Sequence, residues 1–387
     1  MKLATVGVGG AGGRIADRLL EAERRLDRPC CGQNVLVFDT AQPNLDALDV
    51  VPSERRILIG DTYPGVDVEA TGVDGDAELA VEATREERNE IRRALDDLEV
   101  YKADAVLLLA GLGGATGAGA GAVLLEEFRT VYEKPVYAVA ALPSNGGAPD
   151  HRAMTAARGL QSFVRTATNV ILFDNETWAR NDDGAEASAA ADQYREMNDA
   201  LATRLVSLFG AGELETSAIP ESAVDTSDAM RTLATGGVST IGYATLERPG
   251  GGGFLSWLRS LFGGEDDDEV TDAVRIKELV RRALQSPLTV PCDVSSAERA
   301  MLILSGAPDA LSRRGFENAV YWLESETQVA ELLAGDEPRR GNPPLTATIL
   351  LSNVTDVPRI DSLQQQALEC DPLVSVDDTV EASNASD

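Results

Sequence analysis

The stretch AVLLLAGLGGATGAGAG, residues 105–121, decides the fold. Its first six residues are an apolar run, 105–110, that predicts a buried strand. The run breaks into a loop carrying Gly111, Gly113, Gly114, Gly117, Gly119 and Gly121. Segment 123–132 then repeats its apolar residues at helical spacing. Glycine removes the Cβ that would hold a ligand off the backbone, and free N–H groups at a helix start attract phosphate. Thr116 adds a hydroxyl to that cradle.

A second passage of the same kind opens the chain. Residues 3–7 are apolar, and GVGGAGGRIADRLLEAE follows as a turn leading into a helix. Gly7, Gly9 and Gly12 satisfy the spacing G-x-G-x-x-G, and Asp39 closes the next apolar run, 35–38. Taken alone, this is the dinucleotide fingerprint, with an acid at the end of the second strand, and it predicts NAD or FAD in an oxidoreductase. That reading leaves the loop at 111–121 without a role. Two phosphate-type loops, each at the carboxyl end of a strand, fit one ligand with several phosphates at the edge of a sheet.

At 387 residues and 43% hydrophobic content, the chain is long enough for two domains with cores of their own. No apolar run approaches the ~20 residues of a membrane span. The start MKLATVGVGG runs straight into the first strand, so no cleaved signal is expected. Net charge is −30, and only Lys2, Lys102, Lys134 and Lys277 among the 34 basic residues are lysine. Such acidity opposes nucleic-acid binding, because phosphates are repelled. It fits a chain kept soluble in concentrated salt, where the Debye length falls to about 3 Å at 1 M and self-repulsion is screened. Cys30, Cys31, Cys292 and Cys370 form no CxxC pair, so inert thiols in a reducing cytoplasm are expected. His151 is the sole histidine, which argues against a His-based triad or a multi-histidine metal site.

Strand-like runs at 3–8, 35–38, 105–110, 136–142 and 169–174 alternate with helical patterns, predicting an α/β domain with a parallel sheet covered on both faces. After the polar stretch 181–190, Tyr194, Met197, Leu201, Leu205 and Leu208 mark a long helix. Beyond it, strands are expected at 238–247, 300–306, 327–335 and 346–354, with helices over 271–288 and 313–324, as in a smaller α+β domain. Between them, Phe254, Leu255, Trp257, Leu258, Leu261 and Phe262 form an apolar face fenced by glycines. It reads as a flap on the second domain or a contact with a neighbouring subunit. The adjacent acidic run 265–269 argues against docking on an anionic membrane. The last residues are polar and acidic, as in a disordered tail.

The loop GLGGATGAG resembles the GGGTGSG loop of the tubulin/FtsZ superfamily, and GGAGGR (9–14) resembles that family's first nucleotide loop. Asp225, Thr226, Ser227 and Asp228 match its D-x-x-D acidic loop. ALQSPLTVPCDVSSAERAMLILSG is similar to its second-domain passage from helix to strand, and the likeness runs from residue 1 to about 360. Low lysine, high acid and the phrases ILFDNETW and LPSNGGAPDHRAMTAARG look closest to CetZ, the archaeal tubulin-like group of salt-loving cells.

The resemblance implies a Rossmann-like GTP-binding domain (1–190), a core helix (191–212), an activation domain (213–362) and an acidic tail (363–387). It implies GTP or GDP, with Mg²⁺ carried on the nucleotide, in a cytoplasmic GTPase that assembles head to tail and governs cell shape. An FtsZ-type division protein, a non-hydrolysing scaffold and the dinucleotide oxidoreductase remain alternatives. Carried over by position, Gly9, Gly10, Ala11, Gly12, Gly13 and Arg14 would hold phosphates, as would Gly113, Gly114, Ala115, Thr116 and Gly117. Gly72, Gly75 and Asp76 would lie by the γ-phosphate, with Asp74 beside them, and Arg152 near ribose and phosphate. Asn175, Tyr194 and Asn198 would read guanine or ribose, the last two from one helix face. Asp225 and Asp228 would orient the attacking water from the adjoining subunit, while Asp225 also suits a helix N-cap. Gly10 stands where tubulins carry glutamine, Ala118 replaces a hydroxyl residue, and Ala148 replaces a ribose-binding glutamate that Asn145 or Asp150 would have to supply.

Overall fold

The computed structural model describes residues 1–144, 151–179, 187–212, 224–246, 265–341 and 343–370. Residues Asn145, Ala148 and Asp150, the segment 254–262 and the tail from 371 lie outside the described residues.

Apolar runs dictate the first half. Strands β1 (Leu3–Val8), β2 (Val35–Asp39), β3 (Arg56–Leu58), β4 (Ala105–Gly111), β5 (Val136–Leu142) and β6 (Asn169–Asp174) lie parallel. All but β3 are buried along their whole length, because helices cover both faces. The crossovers are α1 (Gly9–Leu26), α2 (Gln42–Asp46), α3 (Ala77–Glu86), α4 (Arg88–Leu95), α5 (Ala115–Val131), α6 (His151–Thr166) and α7 (Asn175–Trp178). Side-chain alternation sorts each strand between two cores. Leu107 and Leu109 join Ile15 and Leu19 of α1, while Val106 and Leu108 join Leu124 and Phe128 of α5.

Helix α8 (Ala187–Phe209) crosses behind α1 and leads to α9 (Thr226–Leu233). Met197, Leu201, Leu205 and Leu208 are buried as their spacing predicts, whereas Tyr194 is 41% exposed. The second half comprises β7 (Val238–Leu246), α10 (Glu265–Gln285), β8 (Arg299–Gly306), α11 (Arg313–Thr327), β9 (Glu331–Pro338), β10 (Leu345–Ser352) and α12 (Pro358–Glu369). The strands form one sheet in the order β3-β2-β1-β4-β5-β6-β7-β10-β8-β9. β7 runs parallel to β6 over a short register and antiparallel to β10, so it joins the two halves.

Three expectations are corrected. The helix expected at 123–132 begins at Ala115, inside the glycine loop. The strand expected at 327–335 is Glu331–Pro338, because Thr327 closes α11 and Gln328 turns the chain out in the left-handed region at φ 53°. The expected tail boundary at 363 falls within α12, whose Leu363 and Gln366 are buried. Three consecutive glutamines, 364–366, hide that helix from a pattern search, yet it packs on α6. Arg359 anchors it, donating to Asp174 Oδ1 at 3.0 Å and to the Pro143 carbonyl at 2.8 Å. Among the described residues no helix is long and apolar enough to cross a membrane.

One ion pair ties both halves to the core helix. Arg28 pairs with Glu337 of β9, and also donates to Ser305 Oγ at 2.7 Å and to the Ser207 carbonyl at 3.2 Å. Glu337→Ala, by stranding a buried guanidinium, is expected to cost about 3–5 kcal/mol in denaturant unfolding. The paired Arg28→Leu/Glu337→Leu variant is expected to recover most of that loss.

Candidate nucleotide site

β1 and β4 are hydrogen-bonded neighbours, so the glycine loops at their carboxyl ends open side by side. In an open α/β sheet, ligands bind where the strand order reverses, and here that point lies between these two strands. The loops interlock through positions that have no room for a Cβ. One on Gly12 would stand 2.2 Å from the Leu109 carbonyl oxygen, and one on Gly117 would stand 2.2 Å from that of Gly111. One on Gly111 would come within 2.5 Å of Ala11 Cβ.

Helices α1 and α5 start directly in these loops. Their N-caps are Val8 and Gly114, neither making a side-chain cap hydrogen bond, and neither helix has an acid in its first turn. Asp76, Asp174 and Asp225 cap α3, α7 and α9, and Ser312 caps α11, whereas α2, α4 and α12 also start without a side-chain cap bond. What sets α1 and α5 apart is that both uncapped starts line one cleft, toward which they present orphan N–H groups and positive dipole ends, the arrangement that an anion satisfies.

The cleft holds about 770 Å³. Gly9, Gly10, Ala11 and Arg14 of the first loop line it, together with Gly113, Gly114, Ala115, Thr116 and Gly117 of the second. Gly75, Arg152, Asn175, Tyr194 and Asn198 converge on the same space. Gly12 and Gly13 are not lining residues; they seat α1 against Leu109 and Val37. Gly72 is likewise not a lining residue and tucks over Thr40, whose hydroxyl meets that of Thr116 at 2.7 Å. Asp76 spends its carboxylate capping α3 through the Glu78 and Leu79 N–H groups. Asp74 beside it is exposed.

Asn44, Asp17, Asp49, Thr71, Thr155 and Arg195 also line the cleft and escaped the sequence reading. Asn44 is the most informative of them. A Cβ on Gly10 would meet its amide at 3.0 Å, so a side chain from α2 fills the space above position 10. Only α2 folding back onto the first loop makes that pairing, and no local pattern announces it.

Electrostatics divides the site. Burial pulls the Arg14 guanidinium below its ordinary value, against the opposing pull of Asp39 and Tyr194. Burial raises the Asp39 carboxyl, against the Ala41 N–H bond. Among the described residues Asp39 Oδ2 has no hydrogen-bond partner, and Asp39, the acid of the dinucleotide fingerprint, is not among the lining residues. For Asp17, burial alone would raise the pKa, but the Val51, Val50 and Asp49 N–H groups and Arg18 outweigh it, and the value is lowered.

Asp225 and Asp228 stand apart from the cleft lining. They form a capping box on α9: Asp225 accepts from the N–H groups of Ser227 and Asp228, and Asp228 Oδ2 accepts from the Asp225 N–H. Asp225 is exposed, and the Ser227 hydroxyl lowers its pKa.

Fold and cleft together define a nucleotide-binding protein of the tubulin type. Residues 2–183 match the Tubulin/FtsZ family, GTPase domain, and residues 188–369 match the tubulin-like CetZ C-terminal domain. Tubulin-like protein CetZ3 of Haloferax volcanii is 42% identical over 95% of this chain and 92% of its own length. CetZ1 of the same organism is 38% identical over 95% and 92%. The structure of the GDP-bound CetZ1 monomer superposes at a TM-score of 0.81, with 35% identity, over 95% of this chain and 99% of that one. The GTPγS-bound CetZ2 protofilament gives 0.78, with 29% identity, over 95% and 98%. The chain belongs to the CetZ family of the tubulin/FtsZ superfamily and carries its GTPase domain.

Two measurements test this geometry. Asn44→Ala is expected to weaken nucleotide affinity roughly tenfold, the worth of about one hydrogen bond from a desolvated group, with unfolding little changed. Asp17, with its folded pKa lowered, contributes stability that is fully present above pH 3.8 and lost as pH falls below it. Asp17→Asn is expected to flatten that acid limb in pH-dependent urea unfolding.

Proposed function

We propose that the chain binds GTP and GDP in this cleft and assembles head to tail into protofilaments that shape the cell from the cytoplasm. Hydrolysis is then completed across the contact between subunits. The observation that carries this reading is the separation of labour: two uncapped helix starts hold the phosphates, while Asp225 and Asp228 lie on another element, outside the cleft lining. Related proteins support it, one solved with GDP and another as a GTPγS-bound protofilament.

In this scheme Tyr194, half-exposed on the cleft side of α8, stacks on the base, and Asn198 one turn on hydrogen-bonds its edge. Asn175 and Arg152 contact ribose and phosphate. In-line attack on the γ-phosphate needs little covalent help but a positioned water, which a carboxylate orients. Ionised Asp225 and Asp228 of one subunit supply that function to the nucleotide of the next. Magnesium, when bound, neutralises phosphate charge. Of the two acids that the motif sets by the γ-phosphate, Asp76 is engaged by the Glu78 and Leu79 N–H groups, so Asp74, exposed beside the lining residues Val73 and Gly75, would be the carboxylate nearest such an ion.

Nucleotide extracted from the purified protein is expected to be guanine nucleotide, and GTP is expected to raise light scattering in concentrated salt. Asp228→Ala is expected to lower phosphate release about 100-fold or more while leaving GDP binding by the monomer intact. Recovery of a nicotinamide dinucleotide would overturn the reading. Phosphate release indifferent to Asp228→Ala would remove these aspartates from it.

A further inference from the structure

The last turn of α1 and the turn that follows it bring two thiols onto one carboxylate. Glu23 lies on α1, and the chain leaves that helix at Asp27 in the left-handed region, φ 52°. It then turns through residues 28–34 into β2, carrying Cys30 and Cys31 back over Glu23. Each Sγ stands 2.9 Å from Glu23 Oε1, and all three residues are buried. Among the described residues, this is the only group of three Cys, His or acidic side chains whose ligand atoms lie within 4.8 Å of one another. No CxxC spacing announces it, because the third member comes from the preceding helix.

The carboxylate is fixed by the backbone and, among the described residues, has no salt bridge. Its Oε1 accepts the Cys30 and Cys31 N–H groups at 2.8 and 2.5 Å, and its Oε2 accepts that of Gly32 at 3.0 Å. A carboxylate offers about four lone-pair sites, so these three bonds leave one for two thiols. Cys30 and, after it, the Thr5 hydroxyl draw the Cys31 pKa down, although burial and Glu23 leave it raised. Thr5 Oγ1 thus faces the cluster from β1, fully buried and without a hydrogen-bond partner. A shortage of acceptors for the thiol protons, beside an orphan hydroxyl, suits an ion that takes the place of those protons.

We propose that Cys30, Cys31 and Glu23 bind one thiophilic divalent cation of the zinc class, with the Thr5 hydroxyl or a water in the fourth position. Two sulfur–metal bonds and one oxygen–metal bond form, and both thiol protons pass to solvent. One carboxylate with two neutral thiols carries a single negative charge, and so does the carboxylate with two thiolates and a divalent ion. A monovalent ion would leave two negative charges, which burial penalises. Ligand atoms on a tetrahedral zinc stand about 3.5–4 Å apart, so the sulfurs need only draw back from Oε1 by under about 1 Å. Asp27, Pro29, Gly32 and Gln33 are exposed along the turn and give the ion a path. Once bound, it ties the end of α1 to the entry of β2 and, through the Leu3 N–H on the Cys30 carbonyl at 2.7 Å, to the start of β1. The same turn carries Arg28, which joins the two halves, so the ion stabilises the folded chain where its parts meet.

Titration of the full-length chain with Cd²⁺ tests the site, after chelator treatment and with a phosphine reductant present. Cadmium–thiolate bonds absorb in the ultraviolet and cadmium–carboxylate bonds do not, which separates this site from the many surface acids. The band is expected to saturate at one ion per chain, with two protons released, and Zn²⁺ is expected to displace it. Cys30→Ser/Cys31→Ser is expected to abolish the band and weaken binding about 100-fold or more, and Glu23→Gln to keep the band and weaken binding about tenfold. Cys292→Ser/Cys370→Ser is expected to change neither. Zn²⁺ is expected to raise the urea midpoint of the parent chain and not that of the Cys30→Ser/Cys31→Ser variant. Far-ultraviolet circular dichroism checks that each variant is folded. Should the double variant unfold, Cys31→Ser alone, expected to reduce the band by about half, carries the same test. A band that survives loss of Cys30 and Cys31, or equally tight binding with and without them, overturns the site. Affinity indifferent to Glu23→Gln overturns the part given to the carboxylate.

Discussion

The structure depends on the backbone-to-backbone contact between two glycine loops at the ends of β1 and β4. Gly12 lies against the Leu109 carbonyl, Gly117 against that of Gly111, and Gly111 against Ala11, each without space for a Cβ. Close-packed interiors have little slack to absorb an added methyl here, so these contacts fix how α1 and α5 leave the sheet. Their starts consequently face one cleft from two sides. The cost is a pair of helix N-termini with unsatisfied donors and no acid in the first turn, a cost that a bound anion would offset.

The second half serves the first by holding the core helix in place. α8 packs on α1 along one face, buries Leu201 and Leu205, and turns Tyr194 and Asn198 into the cleft. Its far end is fastened through Ser207 to Arg28 and thereby to Glu337 of β9. Arg204, one turn earlier, lies over the Trp178 ring at 4.4 Å and near Tyr243 of β7, with burial drawing its pKa down to about 10. The cleft residues Tyr194 and Asn198, the sheet and the acid-bearing α9 are therefore joined through one helix. Such a rod links the cleft to α9, which carries the exposed Asp225.

Much of this was legible in the residues. Apolar runs located β1, β5 and β6 to the residue, because strands covered on both faces need continuous hydrophobic sequence. The glycine spacings located both loops. Less legible were elements whose signals compete. α5 begins among glycines and alanines that read as loop, and α12 hides its core residues among glutamines. Lining residues such as Asn44, Asp49 and Thr71 have no local signature, since their place depends on how distant loops fold over the first one.

The sequence by itself determined that two glycine loops open helices at strand ends, that a long helix follows them, and that aspartates stand three apart beyond it. Local steric and periodic rules suffice for each of those statements. Tertiary structure decided the rest. It placed the loops side by side, since strand neighbours are chosen by sheet topology and not by sequence order. It set Gly12, Gly13 and Gly72 to packing and kept Asp76 for a helix cap, although the motif treats all of them alike. It also left Asp225 and Asp228 outside the cleft they are matched to by motif, because α9 lies beyond the core helix whose rigid length separates them.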